Sequence, residues 1–198
     1  MGLKPRSWYD EQSKQVREYL VAYQPPWPKM ARWPSRFWWV CRSLNRKAPV
    51  LDLGCGPGLF AAYLWHSGFH ERYLGVDFAE HNIQRARQGN KGVGHQRAEF
   101  LVADLTGVIF EELIASFAVP PQITILETFE HLQKDVELLE RLPSGTQVVL
   151  TVPTFDEPSH VRFFLDPHDV LKQYGHLFED PTTRKIRRHW ILLKGVRR

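Results

Sequence analysis

The sequence predicts a doubly wound α/β domain built on a mainly parallel sheet. From residue 50 onward, short apolar runs alternate with longer stretches of helical spacing, a pattern typical of parallel α/β sheets. The first apolar run ends in a glycine-rich turn, and 198 residues are enough for one well-buried domain. We therefore expect one domain over residues 50–198, preceded by an aromatic-rich helical arm over residues 1–49.

Six runs have the length and composition of strands, and they cover residues 50–53, 73–77, 100–103, 123–127, 147–152 and 189–193. Helices are expected near residues 58–67, 80–88, 108–118, 133–142 and 167–174. The helix at 133–142 ends before the turn signal Pro143-Ser144-Gly145, and the last helix begins at Asp166-Pro167, a cap followed by proline. Residues 177–186 have too weak a periodicity to assign.

The N-terminal arm contains five of the seven tryptophans, which are Trp8, Trp27, Trp33, Trp38 and Trp39. A helix is expected over residues 8–23, a proline-rich corner over residues 25–28, and a second helix over residues 35–44. In the second helix Phe37, Val40 and Leu44 fall at helical spacing. The aromatic residues either pack across the sheet or form a lid over a substrate pocket.

Charge is divided along the chain into a basic start, an acidic body and a basic end. Residues 1–49 carry a net +7, residues 50–181 a net −10 and residues 182–198 a net +7. The basic ends either meet an anionic partner such as nucleic acid or fold back onto the acidic body, and the second interpretation is favoured.

No apolar run is long enough for a membrane span and no secretory signal is seen, so we expect a cytoplasmic protein. The two cysteines, Cys41 and Cys55, are expected to be reduced thiols.

The most informative stretch is the glycine-rich turn after the first strand, which reads DLGCGPG from Asp52 to Gly58. Such a turn lets a ligand approach the backbone, and the following helix offers amide donors to an anion. A dinucleotide fingerprint requires glycine or alanine where this chain has Leu59, and no Gly-Lys-Ser/Thr follows to make a phosphate-binding P-loop.

This stretch resembles the cofactor loop of the class I S-adenosylmethionine-dependent methyltransferases, a family with a Rossmann-like sheet of seven strands, the last antiparallel. The resemblance extends to three further motifs in the same order, and residues 188–193 resemble the final strand. It implies that S-adenosylmethionine is the cofactor. The residues that it places around the methionine end of the cofactor are Asp52, Gly54, Cys55, Gly56 and Gly58.

The later motifs imply the rest of the cofactor site. Asp77, followed by Phe78, resembles the acid that ends the second strand and binds both ribose hydroxyls, since a carboxylate accepts two hydrogen bonds from a vicinal diol. Asp104 and Leu105 resemble the pair that contacts adenine after the third strand. Residues 125–132 resemble the fourth-strand motif E-x-x-E-H, in which Glu127, Glu130 and His131 are the named positions. In the family this motif lies beside the transferring methyl group, so Glu127 is also expected in the cofactor site.

His131 is our candidate general base, and Glu130 beside it is the second catalytic candidate. Methyl transfer from a cationic sulfur needs no acid for the leaving group, but a protonated acceptor must lose its proton. Imidazole has a suitable intrinsic pKa for that step. The alternative is that His131 only caps or packs under the following helix.

Glu127, Glu130, His131 and His160 also have the composition of a divalent metal site. This motif resembles those of two subfamilies, the small-RNA 3′-terminal 2′-O-methyltransferases and the ubiquinone-biosynthesis O-methyltransferases. In the first subfamily, a later His joins E-x-x-E-H to hold Mg²⁺. Many methyltransferases with this spelling use no metal, and we expect none here. Residues 24–27, spelled Gln-Pro-Pro-Trp, resemble the tetrapeptide of DNA amino-methyltransferases but are interpreted as a helix-breaking corner.

The expected activity is methyl transfer from S-adenosylmethionine to a small-molecule hydroxyl or amine. One alternative is an RNA 2′-O-methyltransferase that uses a divalent metal, and another is a catalytically silent cofactor-binding interaction protein. We expect a small-molecule acceptor as the partner, with nucleic acid not favoured and no membrane. A monomer and a homodimer both remain open.

Overall fold

A seven-stranded sheet forms the centre of the molecule in the computed structural model, which describes residues 35–91, 97–107 and 109–198. The strands are β1 Val50–Leu53, β2 Tyr73–Asp77, β3 Ala98–Val102, β4 Gln122–Leu126, β5 Gln147–Pro153, β6 Phe178–Ile186 and β7 Trp190–Arg197. Their order across the sheet is β3-β2-β1-β4-β5-β7-β6. The first five strands pair in parallel, and β7 is antiparallel to both of its neighbours. The predicted doubly wound sheet with an antiparallel last strand is confirmed.

The helices alternate with the strands, as predicted. They are α1 Ser35–Ser43, α2 Leu59–His66, α3 Glu80–Gly89, α4 Phe110–Ala115, α5 Asp135–Glu140 and α6 Pro167–Tyr174, with short 3-10 turns at Phe129–His131 and Gly175–Leu177. The Asp166 side chain caps α6 by accepting hydrogen bonds from the amides of His168 and Asp169. Helices α4 and α5 are shorter than the predicted ranges 108–118 and 133–142.

Both faces of the sheet are buried, as the near-continuous apolar strands require. On the face covered by α4 to α6, the core includes Leu51, Val76, Ile125, Phe110 and Val170. On the opposite face, α1 to α3 cover a second core that includes Val50, Tyr73, Phe100, Phe60 and Ile83. The carboxyl ends of the parallel strands therefore lie along one edge between the two helical layers, where ligands bind in such sheets.

Residues 177–186, which the periodicity left unassigned, form the edge strand β6. Its pairing with β7 shifts register between Glu179 and Thr182, and Asp180 lies at the irregularity with a φ of +44°. Such an irregularity interrupts the alternation of buried and exposed side chains, which explains the weak sequence signal.

Of the predicted arm, the structure describes α1 and the residues that lead to β1. Phe37, Val40 and Leu44 are buried as their spacing predicted, and they join the core beside α2. The predicted helix at 8–23, the corner at 25–28 and the tryptophans before residue 35 lie outside the described residues. The boundary at residue 49 stays a prediction.

The basic C-terminus folds back onto the domain at two residues. The Nε atom of Arg197 donates to the carbonyl of Leu139 at 2.8 Å, and the Nε atom of Arg198 donates to that of Phe178 at 2.8 Å. Arg184 places its guanidinium 4.0 Å from the ring centre of Trp39. In the part of the chain that the structure describes, no helix is both long and apolar enough to cross a membrane.

Candidate active site

The glycine loop joins β1 to α2 and packs closely against β2 and Thr128. The amides of Gly54 and Cys55 donate to the carbonyl of Val76 at 2.8 and 3.0 Å, which ties the loop to β2. Gly54 has a φ of +79°, and a Cβ there would lie 2.2 Å from the Thr128 hydroxyl oxygen. A Cβ at Gly56 would meet no described atom within 4 Å. The loop therefore presents open backbone at Gly56.

Asp77 ends β2 and binds the glycine loop from the side. Its Oδ2 atom accepts a hydrogen bond from the Gly56 amide at 2.9 Å, and its Oδ1 atom accepts one from the Ala79 amide at 2.9 Å. Asn82 donates to the same Oδ1 atom at 3.4 Å. Asp77 therefore fixes the loop and the start of α3 together.

Asp52 lies beneath the loop, inside the sheet. Its two oxygens accept hydrogen bonds from the hydroxyls of Tyr73 at 2.5 Å and Thr124 at 2.6 Å. Burial raises the pKa of Asp52 to about 6, against the hydrogen bonds that favour its charged form. The carboxylate links β1 to β2 and β4 below the open side of the loop.

Cys55 and Gly58 complete the loop. The Cys55 side chain is buried over Gly75, where an added Cβ would lie 2.8 Å from the sulfur. Burial raises the pKa of the Cys55 thiol well above its ordinary value, so the thiol is protonated at neutral pH. Gly58 begins α2 with a φ of +75° and packs against Ala86.

The residues expected to contact adenine follow β3. Asp104 is exposed, and its Oδ1 atom accepts hydrogen bonds from the amide and the hydroxyl of Thr106 at 2.9 and 2.8 Å. The Leu105 side chain is buried in the core, so a contact with a ligand would come from its backbone. Phe78 is half-buried directly after Asp77.

The turn after β4 lies directly against the glycine loop. The Thr128 hydroxyl donates to the carbonyl of Leu53 at 3.3 Å. Leu53 directly precedes Gly54, the glycine against which Thr128 packs. Glu127 precedes it with a φ of +52°, a left-handed conformation that non-glycine residues rarely adopt. The following 3-10 turn contains Glu130 and His131. The turn that contains Glu130 and His131 therefore begins directly after the residue that contacts the loop.

Glu127 is held by groups from three different elements. Arg36 of α1 places Nη1 3.3 Å from Oε2, and the Thr151 hydroxyl donates to Oε1 at 3.0 Å. Burial raises the pKa of Glu127, while Arg36, Thr151 and the Trp190 indole favour the charged form. The sequence analysis missed Arg36. The available signal was its place at the start of the helix before β1, which puts it at the carboxyl edge of the sheet.

Glu130, His131 and His160 come together at this edge. Glu130 is 1% exposed, and its Oε2 atom has no hydrogen-bond partner among the residues that the structure describes. Burial and the nearby Glu127 raise the pKa of Glu130 well above its ordinary value. The rings of His131 and His160 lie 5.0 Å apart. Two of the three residues were catalytic candidates, and His160 was considered only as a ligand of a metal that was not expected.

His131 is oriented by a carbonyl group. Its Nδ1 atom lies 3.1 Å from the carbonyl oxygen of Ser159, and its Nε2 atom lies 4.0 Å from Oε1 of Glu130. Because a carbonyl only accepts hydrogen bonds, Nδ1 carries the proton and Nε2 carries the lone pair of the neutral ring. Burial lowers the pKa of His131, so the ring is neutral at pH 7. The sequence analysis missed Ser159, because a backbone acceptor leaves no residue-type signal.

One group of side chains in the described part of the chain has the geometry of a metal site. Glu130, His131 and His160 each offer a ligand atom, and these atoms lie within 4.8 Å of one another. One carboxylate with two imidazoles suits a transition metal better than Mg²⁺, which prefers oxygen ligands. Glu127, the fourth residue with the composition of a ligand, is paired with Arg36.

Known proteins match this chain in sequence and in fold. Residues 50–142 match a family model described as a methyltransferase domain. A trans-aconitate 2-methyltransferase from Sinorhizobium fredii is 33% identical over 122 residues, which are 57% of this chain and 42% of that protein. The chain therefore spans less than half the length of this curated relative.

Solved structures agree over nearly the whole chain. Magnesium protoporphyrin IX methyltransferase from Synechocystis, with bound S-adenosylhomocysteine, has a TM-score of 0.65 and 15% identity, covering 98% of each chain. A TehB-like methyltransferase from Corynebacterium glutamicum has a TM-score of 0.63 and 16% identity, covering 98% of this chain and 100% of that one. Residues 50–142 therefore match a methyltransferase domain, and the chain shares the fold of these solved methyltransferases.

Proposed function

We propose that this protein transfers a methyl group from S-adenosylmethionine to a small molecule that carries a hydroxyl or an amine. The contact between Gly54 and Thr128 is the observation that carries the proposal. This contact joins the glycine loop to the turn with Glu130 and His131, so one edge of the sheet holds both the cofactor loop and a base.

The cofactor is proposed to lie along the carboxyl ends of β1 to β4. The open backbone at Gly56 has room for its methionine end. Asp77 ends β2 beside the loop, and its carboxylate oxygens are acceptors of the kind to which a ribose diol donates. The exposed Asp104 and the backbone of Leu105 are proposed to contact adenine.

When bound, S-adenosylmethionine supplies a methyl group on a cationic sulfur, and displacement by the acceptor leaves a neutral thioether. The carboxylates of Asp77 and Glu127 lie at the edge where this positive charge would sit, and they favour it electrostatically. His131 accepts the acceptor's proton at Nε2 as the new bond to carbon forms. Glu130, buried beside it, stabilises the imidazolium if it is ionised, or donates a hydrogen bond to the acceptor if it stays protonated.

Two experiments test the proposal in order. Calorimetric titration with S-adenosylhomocysteine tests the cofactor site, and micromolar binding is expected. Transfer of a radiolabelled methyl group is then measured against small acceptors, with trans-aconitate first because the Sinorhizobium relative carries that name. Absence of cofactor binding would overturn the methyltransferase assignment. Labelling of an RNA oligonucleotide but of no small molecule would overturn the acceptor assignment.

A further inference from the structure

The segment after β5 folds across the turn that contains Glu130 and His131. The amide of Val161 donates to the carbonyl of Glu130 at 2.7 Å, and the amide of Phe164 donates to that of Pro153 at 3.2 Å. In the same segment the Ser159 carbonyl lies against Nδ1 of His131. We call residues 159–164 the strap. The orientation of the proposed base therefore depends on where the strap lies.

Arg162 fastens the strap to this turn through one guanidinium group. Its Nη1 atom donates to the carbonyl of Leu132 at 2.6 Å and to that of Phe129 at 3.3 Å. Its Nη2 atom donates to the carbonyl of Gln133 at 3.2 Å. These carbonyls lie on both sides of Glu130 and His131 along the chain. Arg162 thus binds the backbone on either side of the two proposed catalytic residues.

A buried carboxylate holds the guanidinium in place. Oδ2 of Asp135 lies 2.5 Å from Nη1 of Arg162, and the Tyr174 hydroxyl donates to the same oxygen at 2.5 Å. Asp135 is 1% exposed and begins α5, while Tyr174 is fully buried at the end of α6. A charge-assisted contact of this kind, shielded from water, has a fixed geometry. The strap is therefore anchored to two helices of the core.

We propose that Arg162 is a positioning residue for methyl transfer: it holds the Ser159 carbonyl against His131, which keeps the proton on Nδ1 and the lone pair on Nε2. The inference rests on the proposed function, in which His131 takes the acceptor's proton. Arg162 itself touches neither of the proposed reacting groups. The guanidinium uses two nitrogens for these contacts: Nη1 contacts the Leu132 and Phe129 carbonyls and the Asp135 carboxylate, and Nη2 contacts the Gln133 carbonyl.

The first test measures the tautomer of His131 and needs no acceptor. Long-range ¹H–¹⁵N spectra of imidazole nitrogens distinguish a ring protonated on Nδ1 from one protonated on Nε2. The His131 signals are identified by their absence from a His131→Ala variant. We expect the Nδ1–H form in the unmodified protein and a mixture with the Nε2–H form in Arg162→Met. An unchanged tautomer in Arg162→Met would overturn the inference, whatever reaction the protein catalyses.

The second test measures rate. Arg162→Met is expected to lower kcat about tenfold to hundredfold, because a misplaced base loses part of the rate that a general base contributes. The affinity for S-adenosylhomocysteine is expected to be unchanged. Arg162→Lys keeps the charge near Asp135 but has no fork, so an intermediate loss is expected. If Arg162→Met does not fold, the His131 tautomer and kcat are both measured in Arg162→Lys. Full kcat in either folded variant would overturn the inference.

Arg72→Lys is the matched control. Arg72 also contacts both a carboxylate and a carbonyl. Its Nε atom lies 2.9 Å from Oε1 of Glu99, and its Nη1 atom donates to the carbonyl of Ser116. It lies away from the strap, in the loop directly before β2. Its replacement is expected to move neither the His131 tautomer nor kcat. A shift of equal size in Arg72→Lys would show that the response is a general effect of losing an arginine contact, and would overturn the specific role of Arg162.

Discussion

The Asp77 carboxylate accepts a hydrogen bond from the Gly56 amide at 2.9 Å, which links the end of β2 to the open point of the glycine loop. The same carboxylate binds the amide of Ala79 at the start of α3. One side chain therefore holds two backbone segments that border the proposed cofactor site. A substitution of Asp77 therefore removes these loop contacts together with any contact that the carboxylate makes with a ribose.

Asp77→Ala is expected to weaken S-adenosylhomocysteine binding by about 1.5–3 kcal/mol, the usual contribution of hydrogen bonds to a charged group. Both the ribose contact and the loop contact are lost together. Calorimetry measures the change, and Glu179→Ala on β6 serves as a control for removing one negative charge from the domain. Equal affinities in the three proteins would remove Asp77 from the cofactor site.

Replacing two glycines of the same loop is expected to separate folding from binding. In Gly54→Ala the new Cβ would meet the Thr128 side chain, so we expect unfolding to become easier by about 2–4 kcal/mol. In Gly56→Ala the new Cβ enters open space, so the strain of its positive φ costs about 1 kcal/mol, while cofactor binding falls sharply. Thermal unfolding and calorimetry distinguish these outcomes. Normal binding in Gly56→Ala would show that the cofactor does not occupy the space in front of that residue.

His131→Ala is expected to keep its affinity for S-adenosylhomocysteine and to lose about a hundredfold or more in rate with a hydroxyl acceptor. In the unmodified protein the rate should rise with pH through the pKa of His131, which burial lowers below 6.5, and should be level at pH 7. The rising limb should be absent from the residual rate of the variant. A pH profile that is the same in both proteins would assign the limb to another group.

The sheet was predictable because its strands carry strong local signals. β1 and β2 have the predicted bounds, since continuous apolar runs end at glycine or acidic residues. The sequence could not assign β6, because the irregularity at Asp180 disrupts its alternation. Helix α5 begins later than predicted because Lys134, with a φ of −106° and a ψ of 39°, is not yet helical.

The site was predictable only as far as its motifs extend. Gly56, Asp77 and the Glu130–His131 pair could be proposed as site residues because they belong to short patterns beside strand ends. Arg36, Ser159 and Arg162 were not found, since each acts on a residue far along the chain or through a backbone carbonyl. Contacts of this kind depend on how the elements pack, which no local pattern records.

Metal ions give a further test of the base. If His131 acts through Nε2, activity should survive chelation and should not depend on Mg²⁺. Zn²⁺ should inhibit, because binding to Glu130, His131 and His160 would occupy the lone pair that accepts the proton. Rates measured with EDTA, Mg²⁺ and Zn²⁺ in turn check this.

His160→Ala should reduce the sensitivity to Zn²⁺, whereas His168→Ala, which changes an exposed histidine on α6, should not. Loss of activity on chelation, with recovery on adding Mg²⁺, would contradict the metal-free mechanism and support the metal-dependent alternative.

Glu130→Gln is expected to make the protein more stable at neutral pH and above. The buried Glu130 has a pKa well above 4.5, whereas the unfolded chain has the ordinary value, so the folded state binds the proton more tightly. The stabilisation from this proton is present below pH 4.5 and is lost as the pH rises toward the folded-state pKa. Glutamine has nearly the same shape but no charge, so the variant avoids this loss. The melting temperatures of the two proteins should therefore diverge from pH 5 to pH 9, with the variant higher. A difference that is constant with pH would show that Glu130 is ionised in the folded protein, and hence that it is available to pair with a protonated His131.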